Sequence, residues 1–233
     1  MAAPEKLPRQ FHQELEGLKQ DLLRMAEMAE AAVRTSVLSV TTRNSDLARD
    51  VITEDIQLNR LELSIEEQAF KMLALRQPLA TDLRLTVAAI RIATELERIG
   101  DQAVNIAERA LELNSAPPLE LPIDLQMLAD MALGMVRTSI DAFVQQDSHL
   151  AVQVCHRDVE VDLLDDEFTQ KILDAMIAEA RWVTRLHHFI IIVRNLERIA
   201  DLATNIAEDI VFIVAGKVIK HRCEDWMTFG QPA

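Results

Sequence analysis

The chain has 233 residues, enough for one large domain or two of roughly 100 residues each. Its apolar share is 49%, with five glycines and no tyrosine, a composition rich in helix formers that leaves few turns for a β-protein. A formal net charge of −14 argues against nucleic acid as a partner and favours cations or a basic protein surface.

Pro4 and Pro8 precede a first helical stretch at about 9–42. Arg43-Asn44-Ser45-Asp46 has turn chemistry, with Asn44 or Ser45 able to cap a second stretch at about 46–76. Pro78 allows a third to begin, at about 79–113. Three prolines, Pro117, Pro118 and Pro122, then bar a helix and mark a linker over 114–121. Further stretches at about 122–145, 147–179 and 181–217 repeat the plan, and a tail over 218–233 with Trp226 and Phe229 stays unassigned. Helices this long are expected when they pack side by side. The expected fold is all-α: two tandem antiparallel three-helix bundles over 9–113 and 122–217, related by a pseudo-twofold or a simple tandem repeat.

The N-terminal MAAPEKLPRQ lacks the apolar core of a signal peptide. The longest apolar runs, such as Phe189 to Val193, fall far short of the roughly 20 residues of a membrane span. The two cysteines, Cys155 and Cys223, form no CxxC and exclude a thiolate zinc site by count; no disulfide framework is expected. A soluble cytoplasmic protein follows, without direct membrane insertion.

An internal repeat carries most of the information. Residues 96–108, LERIGDQAVNIAE, match residues 196–208, LERIADLATNIAE, at ten of thirteen positions. At an offset of 103, Asp55, Asn59 and Glu62 meet Asp158, Asp162 and Asp165. With Glu97 at zero on a wheel of roughly 100° per residue, Asp101, Asn105 and Glu108 fall within about 80° of it. Glu197, Asp201, Asn205 and Glu208 do the same. The apolar residues Ile92, Ile99, Ala103 and Ile106 lie opposite, so the acidic stripe is expected to look away from the bundle.

Carboxylates four apart on one helix face repel each other mildly. A hard cation reverses that sign, because paired Glu and Asp supply oxygen ligands and Asn adds a neutral one. A solvated face would need no such register after duplication, which favours a metal site over ordinary surface charge. The candidate ligands are Glu97, Asp101, Asn105, Glu108, Glu197, Asp201, Asn205 and Glu208. Asp55, Glu62, Asp158, Asp162 and Asp165 either complete the site from the second helices or are surface charge. By count, the second half offers one carboxylate more and is expected to bind more tightly. Oxygen ligands suit magnesium, calcium, manganese and iron, with zinc kept as a candidate. Arg98 and Arg198 are expected to bridge to a neighbouring helix. His187 and His188 are read as core or interface residues, and Met25, Met28, Met72, Met127, Met131 and Met135 as core filler. No Glu-x-x-His, P-loop, GxGxxG, GxSxG or nucleophile–base pair is present, so no catalytic residue and no enzyme is expected.

The paired LERI-x-D-x-A-x-N-I-A-E segments on a duplicated three-helix plan resemble the PhoU family over about 9–217. Its Glu-x-x-x-Asp motif matches Glu97 to Asp101 and Glu197 to Asp201. Asp82-Leu83-Arg84 after Gln77-Pro78 is similar to the family's entry to its third helix, and Arg181 to Arg185 departs from it. The resemblance implies a cytoplasmic negative regulator of phosphate uptake and the phosphate-starvation response. It implies an adaptor between a phosphate ABC transporter, through its ATPase, and a membrane histidine kinase. It also implies metal clusters on the acidic motif, homodimers and a bacterial source. The competing reading is a metal-free helical scaffold whose acidic stripes bind basic protein surfaces.

Overall fold

A computed structural model describes residues 9–119 and 123–216. They form six α-helices: α1 (Arg9–Thr41), α2 (Ser45–Arg76), α3 (Ala80–Ser115), α4 (Leu125–Gln145), α5 (Ser148–Ala178) and α6 (Val183–Ala215), with a 3₁₀ turn at Ala180–Trp182 before α6. No strand occurs among the described residues. The fold is all-α, and the helix order repeats after α3.

Local chemistry sets the ends. Asn44 is the cap of α2, its side-chain oxygen accepting from the backbone N–H groups of Asp46 and Leu47. Asp124 and Asp147 cap α4 and α5 in the same way. Gln77 takes a left-handed conformation (φ 49°) just ahead of Pro78, which separates α2 from α3. After α3, the Arg43 guanidinium donates to the carbonyls of Asn114 and Ala116, and Arg185 donates to that of Pro117 (3.0 Å), tying the proline-rich connection to both halves.

The two halves share one core. Helix α3 packs against α1, α2 and α6, while α6 packs against α3, α4 and α5; α1 also meets α4. The helices α1, α3, α4 and α6 therefore make the centre, with α2 and α5 flanking it. Three side-chain hydrogen bonds align α3 with α6: Arg84 to the backbone carbonyl of Ile213 (3.0 Å), Arg91 to Asp209 (2.8 Å), and Asn205 to Glu95 (3.3 Å). Residue numbers rise on one helix as they fall on the other, so the helices run antiparallel. The repeats are thus related by a pseudo-twofold and not by a simple translation. Ile99, Ile106, Ile199 and Ile206 are wholly buried in this core.

Some expectations change on contact with the fold. Met25, Met72 and Met135 are buried, whereas Met127 is exposed. His187 is exposed, because it points off the seam that Leu186 occupies. His188 is partly buried, and that burial lowers its pKa. Cys155 is partly buried against the core. The tail with Cys223, Trp226 and Phe229 lies outside the described residues. No described helix is long and apolar enough to cross a membrane.

Two acidic grooves as the candidate functional site

The apolar face of α3 turns Leu96, Ile99, Ala103 and Ile106 inward and leaves its acids at the edge facing α2. Glycine at position 100 permits a close approach. A Cβ built there would meet the Leu58 side chain at 2.2 Å and the Asp55 carboxylate at 3.3 Å. Asp55 consequently stands over the α3 stripe, with Asn59 donating to it from the next turn (2.9 Å).

The acidic stripe faces outward over most of its length, with Asp101, Asn105 and Glu108 exposed, but Glu97 is half-buried beside α2. Burial pushes Glu97 up to about 7, and repulsion from Asp101, Glu62 and Asp55 adds to it. Burial also raises Asp101, with Asp55 contributing. Glu62 is raised by burial, partly offset by Thr94 lying against it. Asp55 and Glu62 therefore face the α3 stripe across a groove. Asn105 and Glu108 are exposed, and Glu108 pairs with Arg109 (3.1 Å).

The second half builds the same groove between α5 and α6. Burial takes Glu197 up to about 7, with Asp201, Asp165 and Asp162 adding repulsion. Burial takes Asp158 up to about 6, where Asp162, Asp201 and Glu208 add theirs. Asp201 is raised by burial too. A single helical wheel could place the stripe on α3 or α6 but not the neighbour rotated toward it. The half-burial of Glu97 and Glu197 is therefore not visible on that wheel.

Several residues have other partners. Asp165, 2% exposed, is held by Arg194 at 2.8 Å. Asn205 is drawn to Glu95 across the seam, away from the ligand set expected of it. Arg98 pairs with Glu95 (3.2 Å) and Arg198 with Asp201 (3.6 Å), each on its own helix. Among the described residues, these same-helix ion pairs stand in place of the expected bridges to a neighbouring helix. Arg194 was missed by sequence reading. The available signal was Thr94, its counterpart at an offset of 100, two residues before the matched segment begins.

Chemically, the donors of each groove are carboxylate oxygens, with Asn59 adding an amide in the first and threonine hydroxyls against Glu62 and Asp158. Asp158 Oδ1, Asp165 Oδ1 and Asn59 Oδ1 are buried without a hydrogen-bond partner. That donor set suits a hard cation. Among the described residues, however, no three His, Cys, Asp or Glu side chains stand close enough to hold one ion together. The groove as it stands brings acids near each other without converging them.

A pH dependence follows. Glu97, Glu197 and Asp158 hold their protons to higher pH folded than unfolded. The folded state then binds more protons between about pH 4 and 7, and stability falls as pH rises through that window. Chelator-treated protein is expected to melt at a higher temperature at pH 5 than at pH 8. Glu97→Gln with Glu197→Gln should flatten that slope; an unchanged slope would place the effect elsewhere.

Comparison with known proteins agrees with this architecture. The PhoU domain model matches residues 22–110 and again 125–210. A relative from Caulobacter vibrioides, described as "Phosphate-specific transport system accessory protein PhoU homolog", is 37% identical over 208 residues, covering 89% of this chain and 90% of its own. An Aquifex aeolicus relative of the same description is 35% identical, covering 90% and 95%. The crystal structure of PhoU from Pseudomonas aeruginosa superposes with a TM-score of 0.84 at 34% identity, covering 89% of this chain and all of that one. A Streptococcus pneumoniae PhoU structure, at 24% identity and a TM-score of 0.83, shares the fold.

Proposed function

The chain belongs to the PhoU family, and from that premise we propose that it is an accessory protein of a phosphate-specific transport system that represses phosphate uptake and the phosphate-starvation response. In this reading it works in the cytoplasm as an adaptor. It connects the ATPase of a phosphate ABC transporter to a membrane histidine kinase, and it self-associates as a homodimer. The relatives' description, at 37% identity across 89% of the chain, carries the proposal. Regulation by contact needs no bond to be made or broken, and the grooves present no nucleophile beside a base.

We further propose that the grooves take hard metal ions. Asp55, Glu62, Glu97 and Asp101 would hold one in the first half, and Asp158, Asp162, Glu197 and Asp201 in the second, with Glu108 and Glu208 at the margins. The ion would supply positive charge, offsetting the crowding that raises Glu97, Asp101, Glu197 and Asp201. Iron, zinc, manganese, magnesium and calcium all remain candidates. The metal-free scaffold is the second reading. It is favoured by the lack of three converging ligands among the described residues, and its occupant would be a Lys- or Arg-rich surface of a partner.

The test of the regulatory role is genetic. Deleting the gene is expected to leave phosphate-starvation genes expressed in phosphate-rich medium. Normal repression in the deletion strain, with kinase and transporter genes intact, would refute it.

A further inference from the structure

A cavity of about 410 Å³ opens between α1 and α2; of its acids, only Asp55 is shared with the groove over α3. Its floor is apolar: Val51 and Leu58 are buried, and Met28 and Ala32 are half-buried. Ala31 and Thr35 continue the α1 wall with short side chains, which lets a third helix approach closely. The rim is acidic. Glu27, Asp50 and Glu54 are exposed and Asp55 is half-buried, and the cation lining the cavity with them is Arg24. Two further arginines on these helices are engaged by other acids: Arg34 pairs with Glu30 (3.9 Å) and Arg49 with Asp46 (2.6 Å). The lining runs from Arg24 to Thr35 on α1 and from Asp50 to Leu58 on α2. At 1.5 Å per residue these walls are roughly 16 Å and 12 Å long, or two to three helical turns.

The duplicated half shows what such a groove accepts. At the offset of 103, Met28, Ala31, Thr35 and Val51 are matched by Met131, Gly134, Thr138 and Val154. Glu54 is matched by Arg157, a reversal of charge. The Arg157 guanidinium lies 3.6 Å from where a Cβ on Gly134 would stand. An arginine of α5 thus lies across the α4 wall at the place where α1 presents Ala31. In the first half that place is faced by Glu54, and the cavity stands open.

We propose that the α1–α2 groove is a docking site for a Lys- or Arg-rich amphipathic helix of a partner protein. The apolar face of that helix covers Met28, Ala32, Val51 and Leu58, and its basic residues meet Glu27, Asp50 and Glu54. Charge complementarity selects the occupant. Four carboxylates against one guanidinium attract a basic helix and repel an acidic one, nucleic acid or an anionic lipid surface. The apolar floor separates such a helix from a small cation, which would leave that floor uncovered. Arg157 supplies the contact within the second half that a partner's arginine supplies in the first. The site is independent of the metal reading, because it needs no ion and lies on the α1 side of α2.

The test is fluorescence anisotropy of a labelled Leu/Lys amphipathic helix of about 18 residues, titrated with the full-length protein at physiological salt. One control peptide has the same composition with its apolar period scrambled, and another carries Glu in place of every Lys. Wild type is expected to bind the amphipathic basic peptide about tenfold or more tighter than either control. Glu54→Arg, which brings the second half's guanidinium into the first, should weaken binding about tenfold or more. Ala31→Trp, which fills the cavity, should do the same. Glu97→Gln with Asp101→Asn, in the groove over α3, should leave affinity within about threefold. Folding is checked by circular dichroism, and Glu54→Gln replaces either groove variant that does not fold. The proposal is overturned if wild type binds no peptide or binds the scrambled one equally well. It is also overturned if the folded groove variants bind as wild type does. Loss of binding in the Glu97 and Asp101 variant would overturn it too, by moving the basic partner to the groove over α3.

Discussion

Replacing Ile99 or Ile199 by Ala is expected to lower the thermal midpoint by roughly 4–20 °C. Each side chain is fully buried in the core shared by the halves. Truncating a buried isoleucine to alanine costs about 2–5 kcal/mol, from lost burial plus the cavity left behind. For a chain of this size, each kcal/mol shifts the midpoint by about 2–4 °C. The core is continuous through α3 and α6, so the neighbours of either isoleucine are held by several helices and collapse poorly into the gap. Leu63→Ala is the control, since Leu63 is 63% exposed and its loss should stay within about 0.5 kcal/mol. Equal midpoints for Ile99→Ala and Leu63→Ala, measured by circular dichroism, would show that this core is not packed as described.

A second large effect is expected from cation binding itself. The acids of each groove disfavour their charged forms, with Glu97 and Glu197 both near 7. On the metal reading proposed above, a divalent ion would select the deprotonated groove and, binding only the folded state, would stabilise it by mass action. At one hundred times the dissociation constant this amounts to about 2.7 kcal/mol, or about 5–11 °C in the midpoint. The gain should be larger at pH 8 than at pH 5, because protons compete with the ion for Glu97, Glu197 and Asp158. Substituting Glu97→Gln, Asp101→Asn, Glu197→Gln and Asp201→Asn together should abolish the cation effect. The same variant should melt higher than wild type in chelator, since four crowded acids are gone. A midpoint indifferent to Mn²⁺, Mg²⁺, Ca²⁺, Zn²⁺ and iron would favour the metal-free scaffold.

Much of the architecture is legible in the sequence, because the signals are local. Asn44 caps one helix, Pro78 opens another, and three prolines fall between the repeats. The duplication is visible in the matched segments at 96–108 and 196–208. Pairings across the fold are not local and leave no comparable trace. Arg91 with Asp209, Asn205 with Glu95, and Arg84 with the end of α6 all join residues more than a hundred positions apart. The rotation of α2 toward α3 depends on Leu58 and Asp55 fitting over Gly100. No helical wheel contains that contact. For the same reason the half-burial of Glu97 beside α2 leaves no trace in the sequence, although Asp101, Asn105 and Glu108 are exposed as a wheel predicts. The count of acids misses Arg194 because the pairing with Asp165 is a property of two helices, not of either one.

The measurement that bears most directly on the account is repression of a phosphate-starvation reporter in a deletion strain complemented with the quadruple Glu97→Gln, Asp101→Asn, Glu197→Gln, Asp201→Asn variant. Wild type should restore repression in phosphate-rich medium. The variant, accumulating to the same level and folded by circular dichroism, should leave the reporter on. Full repression by the variant would show that the acidic grooves are not where this protein does its regulatory work.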